Sequence, residues 1–342
     1  MDKAKQSSQA LWKHVRQYLT VYLPRLRGRS PRTVGSYRQS IAMYCQCLKE
    51  ASGSSFGNIS FDHITRDSVM NFIQWLRNRD CSSSTCNLRL SSLKSFLKYC
   101  ADEDIGLTSV YHEVSRVPLM KEARMPVVYM SQTAVKALLA QPDAKTAKGM
   151  RNRMILILLY DTGARVQELV DLRVSDLQLE AKDPFITVTG KGNKTRGIPL
   201  MDKTVSHLKE YLKRFHSQSE GGAAGPLFYS MLGGTPHKLS TDAITVMVKI
   251  YAKMARKTCS EVPERVHPHL FRHSRAMHLY KEGMPLSYIA EFLGHVSVNT
   301  TAIYASADVD MLREALEKTD PGLADEIPHW KDEESLKRLC GL

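Results

Sequence analysis

The sequence predicts a mainly α protein with a small β-sheet, an α+β chain built as a helical amino-terminal domain followed by a mixed domain. Three observations carry this expectation. The chain has 342 residues, more than one hydrophobic core usually spans, and its 43% hydrophobic content is enough to fill two. Apolar residues recur three and four apart along most of its length, while β-like runs are confined to a stretch near Phe185 to Leu200. Between Ser115 and Val128 the helical spacing breaks, with Pro118, Pro126 and mixed charge. The expected division is therefore a helical domain at 1–115, a linker at 116–127, a second domain at 128–320 and a tail at 321–342.

The first domain reads as helices at Leu11 to Leu23, Pro31 to Ala51, Thr65 to Arg77 and Ser83 to Ala101. Ser30 before Pro31, and Ser83 before Ser84 and Thr85, supply side-chain oxygens for exposed amide donors, and a proline in the first turn forfeits no needed hydrogen bond. The second domain opens with helices at Ser131 to Ala140 and Lys148 to Asp161. The short β section follows, and helices then continue to Leu316. Gly221 to Pro226 reads as a surface loop.

A net charge of +13 and an isoelectric point near 9.4 favour a polyanionic partner, nucleic acid before anionic membrane. The polar faces of the first helices carry Arg32, Arg38, Arg77, Arg79, Arg89, Lys94 and Lys98. A solvated surface accounts for any one of them, but together they favour contact with phosphates. Residues 305–342 reverse the balance, with 5 basic against 10 acidic residues, so this segment is not expected to be a DNA arm. The absence of a run of 18 apolar residues and of a signal peptide points to a soluble, cytoplasmic protein without a membrane partner. The seven cysteines lack zinc-binding or disulfide spacing and are expected to be reduced and mostly buried.

Four segments hold candidate chemistry. Asp161 to Leu169 reads as a helix end at Gly163 and a new helix start that projects Arg165, with Glu168 one turn on to orient it; a surface ion pair is the duller account. Thr189 to Arg196 reads as a hairpin whose tip carries Lys191, Lys194 and Arg196. A nucleotide-binding loop is disfavoured there, because the phosphate-loop spacing is absent and no helix follows. In His267 to Ser274, His269 and Arg272 share a helical face, with His273 beside them. A metal is rejected, because no Asp, Glu or Cys stands at ligand spacing and Arg272 would repel a cation. Leu293 to Tyr304 places His295 after Gly294, with Tyr304 nine residues further, although a lone Tyr is more often a core residue. Converging on a phosphodiester, two Arg, a Lys and two His would neutralise transition-state charge while a Tyr hydroxyl attacks in line.

Arg165, Lys191, His269-x-x-Arg272, His295 and Tyr304 stand in an order and spacing that resemble the tyrosine recombinases, the phage-integrase and Xer group. The likeness extends to Ser30 to Thr33 with Tyr37, and to Ser84 to Arg89 with Leu93 and Phe96, which resemble that family's helical core-binding domain. Phe271 stands where the family commonly has Leu, a change of packing rather than chemistry. The resemblance implies a C-shaped clamp around duplex DNA. It also implies a 3′-phosphotyrosine on Tyr304 that stores bond energy, so that no nucleotide or other cofactor is needed. Arg165 and Arg272 would hold the scissile phosphate and Lys191 would protonate the leaving oxygen, with Lys194 as a rival. His269 and His295 would hydrogen-bond the phosphate or move protons, and Glu168 and His273 would support the site. Arg32, Arg38, Arg89, Lys94, Lys194 and Arg196 are the expected DNA contacts. The resemblance further implies a homodimer on one duplex site and a homotetramer in the synapse, with the tail docking on a neighbouring protomer; packing on its own domain or staying disordered are the alternatives for residues 321–342. Integrase or transposase of a mobile element is the favoured role. Dimer resolution, a type IB topoisomerase and a non-catalytic DNA-binding relative are the alternatives.

Overall fold

The computed structural model describes residues 2–53, 55–122, 127–190, 194–216, 225–295 and 300–305, with positions 334, 337 and 338. The chain forms two compact units, Met1–Arg124 and Met125–Leu342. The expectations for Lys191, for most of the Gly221–Pro226 loop and for the tail lie outside the described residues.

In the first unit, α1 (Asp2–Gln17) runs on into a π-helical stretch, Tyr18–Leu26, that contains Pro24, a residue with no amide proton to give to a regular α-helical ladder. Helix α2 (Pro31–Ser52) starts as expected, with Ser30 Oγ accepting from the Thr33 amide at 3.3 Å, and ends where Gly53 turns left-handed. Thr65 and Ser68 form a reciprocal cap for α3 (Arg66–Arg77). Helix α4 (Ser83–Glu103) is capped by Ser82 rather than by Ser83, which is the first helical residue; Ser82 Oγ accepts from the Thr85 amide at 3.2 Å. Helix α5 (Thr108–Ser115) packs on α4. Tyr18, Tyr44, Phe72, Leu90 and Phe96 fill the core among these helices.

In the second unit, α6 (Gln132–Leu139) and α7 (Ala147–Asp161) precede α8 (Val166–Asp171). Ile155 to Leu159 are all buried, so α7 is apolar all round and runs through the core. An antiparallel sheet follows in the order β1 (Leu177–Gln178), β2 (Phe185–Thr189), β3 (Thr195–Pro199), the small β section that the alternation predicted. Ile186 and Val188 face inward from β2, and Ile198 lies opposite Ile186 on β3.

After α9 (Asp202–Phe215) the chain departs from the expected run of helices. A second hairpin, β4 (Tyr229–Leu232) with β5 (Thr235–Lys238), turns at Gly233 and Gly234, both at positive φ. A two-residue Gly-Gly turn matches the twist of paired strands. The sequence held that signal, but β5 is exposed throughout and contains Pro236, so no apolar alternation accompanied it. Helices α10 (Thr241–Ala255), α11 (Pro268–Lys281), α12 (Leu286–Leu293) and α13 (Ala302–Ala305) complete the described unit. Among the described residues no helix is long and apolar enough to cross a membrane. Of the cysteines described, Cys45, Cys47, Cys86 and Cys100 are buried, and none is in a disulfide.

Candidate active site

The site is assembled where the ends of α7, β3, α11 and α12 meet. Helix α7 stops at Asp161, Gly163 adopts φ +56°, and the chain re-enters helix at Val166 with Arg165 as the residue before the first turn. The Arg165 amide donates to Glu168 Oε2 at 2.9 Å and its guanidinium Nη1 donates to Oε1 at 2.7 Å. Glu168 thus caps the helix and orients the arginine, as its position one turn on implied. The Arg165 Nη2 also donates to the Gly294 carbonyl at 3.3 Å. A third of the Arg165 side chain stays exposed, whereas Glu168 is 4% exposed.

Arg272, on α11, is buried and held by two carbonyls, Gly163 at 2.7 Å and Leu293 at 2.6 Å. Burial, then the nearby Arg165 charge, pulls its pKa down to about 10, which leaves it protonated at neutral pH. His269 lies one turn earlier but is exposed, its ring centroid 6.5 Å from that of His267. The shared helical face therefore splits by depth: the arginine reaches inward and the histidine outward.

Gly294 ends α12 in a left-handed conformation, and His295 follows it. Its Nδ1 lies 2.8 Å from Thr301 Oγ1. Burial, followed by the charges of Arg272, Arg165 and Arg196, depresses the His295 pKa to about 4, so the ring is neutral at physiological pH. Tyr304, 1% exposed, packs with Ala276, Met277, Ile289 and Leu293, and its hydroxyl is 2.9 Å from His273 Nδ1. Burial raises the Tyr304 pKa against the partial opposition of Arg272, and burial lowers that of His273.

Arg196 belongs to this cluster, although its place on a basic hairpin suggested an outward DNA contact. Its Nη1 and Nη2 donate to Glu168 Oε1 and Oε2 at 3.2 and 2.9 Å, and its Nε donates to the Phe292 carbonyl at 3.1 Å. The missed signal was strand parity, since Arg196 lies two residues from buried Ile198 and shares its face. Burial alone would raise the Glu168 pKa, but hydrogen bonds from Arg196 and Arg165 outweigh it and keep the carboxylate ionised. Lys194 stays exposed.

In the first unit, Arg89 spends its guanidinium on Ser36, Gln39 and Ser40, tying α4 to α2, and Lys94 donates to the carbonyls of Ser115 and Val117 at the end of α5. Both bonding patterns are internal. Arg32 and Arg38 are exposed on α2, with Arg32 at a cleft lined by hydroxyls of Ser30, Thr33, Ser36 and Ser91. Among the described residues no group of three or more His, Cys, Asp or Glu side chains is placed to hold a metal ion.

Fold and site together define a two-unit helical protein with a buried tyrosine beside an arginine-rich centre, and the comparisons with known proteins agree with that class. The phage integrase family pattern matches residues 128–311, and the pattern of the phage integrase N-terminal SAM-like domain matches 15–104. A Sinorhizobium fredii protein assigned by name to the integrase/recombinases is 32% identical over 297 residues, 86% of this chain and 87% of that one. Tyrosine recombinase XerA of Pyrococcus horikoshii is 31% identical over 83% of this chain and 88% of its own. The XerH recombinase bound to its difH substrate shares the fold at a TM-score of 0.68 with 22% identity, covering 85% of this chain and 81% of that one. The Tn1549 transposon integrase, in complex with transposon right-end DNA, does so at 0.64 with 20% identity, covering 89% and 99%. The chain belongs to the phage integrase family: it is a tyrosine-type DNA recombinase, an enzyme of DNA strand transfer.

Proposed function

We propose that this recombinase serves a mobile DNA element as its integrase or transposase, exchanging strands between two duplex sites through a 3′-phosphotyrosine on Tyr304. The observation that carries the chemistry is the convergence of Arg165, Arg272, His295 and Tyr304 from chain segments more than a hundred residues apart at the extremes: Arg165 and Arg272 bond the carbonyls of Gly294 and Leu293 beside His295, and the Arg272 charge acts on both His295 and Tyr304. The Tyr304 oxygen attacks phosphorus, the bond to the 5′ oxygen breaks, and the 5′ hydroxyl departs. His273, neutral and 2.9 Å from the tyrosine hydroxyl, is placed to take the proton. Arg165 and Arg272 offset the charge on the non-bridging oxygens, neutral His295 donates a hydrogen bond from Nε2, and exposed His269 meets the incoming phosphate from the solvent side. Lys191 protonates the leaving oxygen. The reverse attack by a partner strand's 5′ hydroxyl needs no energy source beyond the phosphotyrosine, so no nucleotide is required, and Arg, Lys and His supply the charge that a metal ion would otherwise bring. Arg32, Arg38 and Lys194 supply backbone contacts, and a dimer on each site pairs into a tetramer for exchange, in the cytoplasm.

Trapping on a nicked suicide substrate tests this. Wild type accumulates a covalent protein–DNA adduct, and Tyr304→Phe binds the same duplex without forming one. An adduct formed by the Phe variant would overturn the assignment of the nucleophile.

Resolution of chromosome dimers is the second reading, favoured by the 30% identity to tyrosine recombinase XerD of Staphylococcus saprophyticus across 86% of this chain and 94% of that one. The DNA flanking the gene separates the two. Inverted recombinase-binding sites bounding a movable segment support the element role, and their absence there, with a single chromosomal site elsewhere, supports resolution.

A further inference from the structure

Glu168 accepts four hydrogen bonds, two on each carboxylate oxygen, and a carboxylate offers about four acceptor positions. Two come from Arg165, through its amide and its guanidinium. The other two come from Arg196 in a bidentate fork, the strongest geometry for an arginine–carboxylate pair. Arg196 is only 15% exposed, and its third donor fixes the Phe292 carbonyl in the last turn of α12.

Two glycines from distant segments make room for this pair. A side-chain carbon on Gly294 would lie 2.8 Å from Arg196 Nη1, and one on Gly190 would lie 3.0 Å from Glu168 Oε1. The first of these contacts is closer than real Cβ atoms tolerate, and the second sits at that limit. Gly190 closes the β2–β3 turn by donating its amide to the Lys194 carbonyl at 2.8 Å. The hairpin that carries Lys191 in its sequence, the α8 cap that carries Arg165 and the α12 turn that carries His295 are therefore joined at one ion pair.

Charge makes the arrangement more than a brace. With Glu168 paired to Arg165 alone, the carboxylate would cancel the charge that a phosphate must meet. A second guanidinium on the same carboxylate leaves Arg165 and Arg272 as uncompensated positive groups.

We propose that Arg196 is a positioning residue of the recombination reaction: it balances Glu168 and locks the Gly190 hairpin to the Gly294 turn, so that Arg165 meets the scissile phosphate in register and with its charge undiminished. This rests on the assignment of Arg165 and Tyr304 above. The groups that face the Glu168 carboxylate are Arg165 from α8, Arg196 from β3 and, through space, Arg272 from α11. Loss of Arg196 removes one of the two groups that hold Glu168 ionised, so Glu168 takes up a proton at higher pH.

The test is single-turnover cleavage of the suicide substrate across pH 5 to 9 by Arg196→Met, Arg196→Lys, Glu168→Gln and the Glu168→Gln/Arg196→Met double variant, with duplex affinity measured alongside. Arg196→Met is expected to bind the site within about threefold of wild type yet cleave on the order of 10²-fold more slowly, the scale of a misplaced reacting group. Its deficit relative to wild type narrows toward acid pH, where Glu168 takes up a proton and no longer cancels the Arg165 charge, and Arg196→Lys recovers part of the rate. The double variant, which lacks both charges, cleaves faster than Arg196→Met, because the neutral Gln no longer cancels the Arg165 charge. Cleavage by Arg196→Met within threefold of wild type at every pH overturns the proposal. So does a cleavage defect matched by lost DNA affinity, or one that does not narrow toward acid pH and is not recovered by Lys. Tyr304→Phe run in parallel keeps the cases apart: an adduct from that variant sinks the nucleophile assignment, whereas failure in the Arg196 series alone sinks only the positioning role.

Discussion

Burial opposes protonation of His295, and the charges of three guanidinium groups around it oppose it further. Its pKa in the folded protein, about 4, lies below the ordinary imidazole value. In the unfolded chain the ring takes up a proton as the pH falls through about 6.5, while the folded site refuses it. The stability this ring contributes is therefore complete above that range and is lost as the pH falls toward 4. Thermal melts at pH 7 and pH 5 check the sign. His295→Gln, which cannot titrate, should show a smaller drop in Tm between the two than wild type. Half-buried His273 and buried His278 share the downward shift, so part of the drop persists. An equal drop in both proteins would show that His295 titrates normally. At the same scale the sequence exposed Glu168 as the partner of Arg165, because a separation of three within one helical start fixes their contact whatever surrounds them. Strand parity with Ile198 marks the inward face of Arg196, but its pairing with Glu168, 28 residues away, is not a local property.

Short elements decided where the proposed catalytic groups lie. The α12 C-terminus is the most constrained of them, for Gly294 combines φ +65° with the close approach of Arg196. Gly294→Ala should cost about 1–2 kcal/mol for the left-handed backbone, and more if the arginine is displaced. A denaturant titration should show a lower midpoint with an unchanged slope, and cleavage should fall with it because His295 follows directly. A midpoint equal to wild type would mean that the turn relaxes without strain. The main helices were legible from periodicity and from caps such as Ser30 and Thr65, since these signals act within a few residues. The β4–β5 hairpin was not, because its exposed strands bury no alternating face and only the Gly-Gly pair marks the turn.

For the whole molecule, the excess of 48 basic over 35 acidic residues predicts DNA affinity dominated by counterion release. Affinity for a duplex site should fall steeply and log-linearly as salt rises, by about 10³-fold or more between 50 and 200 mM if six or more phosphates are contacted. A nearly flat salt response would place DNA on a surface other than the basic one. Charge of this kind is additive along the chain, so the sequence alone settled it. The sequence likewise determined the mainly helical class, the small sheet and the ordered set of Arg, Lys, His and Tyr that marks the family, because local periodicity and motif order are linear properties. What only the tertiary structure decided was depth and partnership. It turned Arg196 inward and His269 outward, spent Arg89 and Lys94 on internal carbonyl and hydroxyl oxygens, and set His273 against Tyr304. Those outcomes depend on which distant segments pack together, and a side chain's charge does not reveal whether water or another residue will meet it.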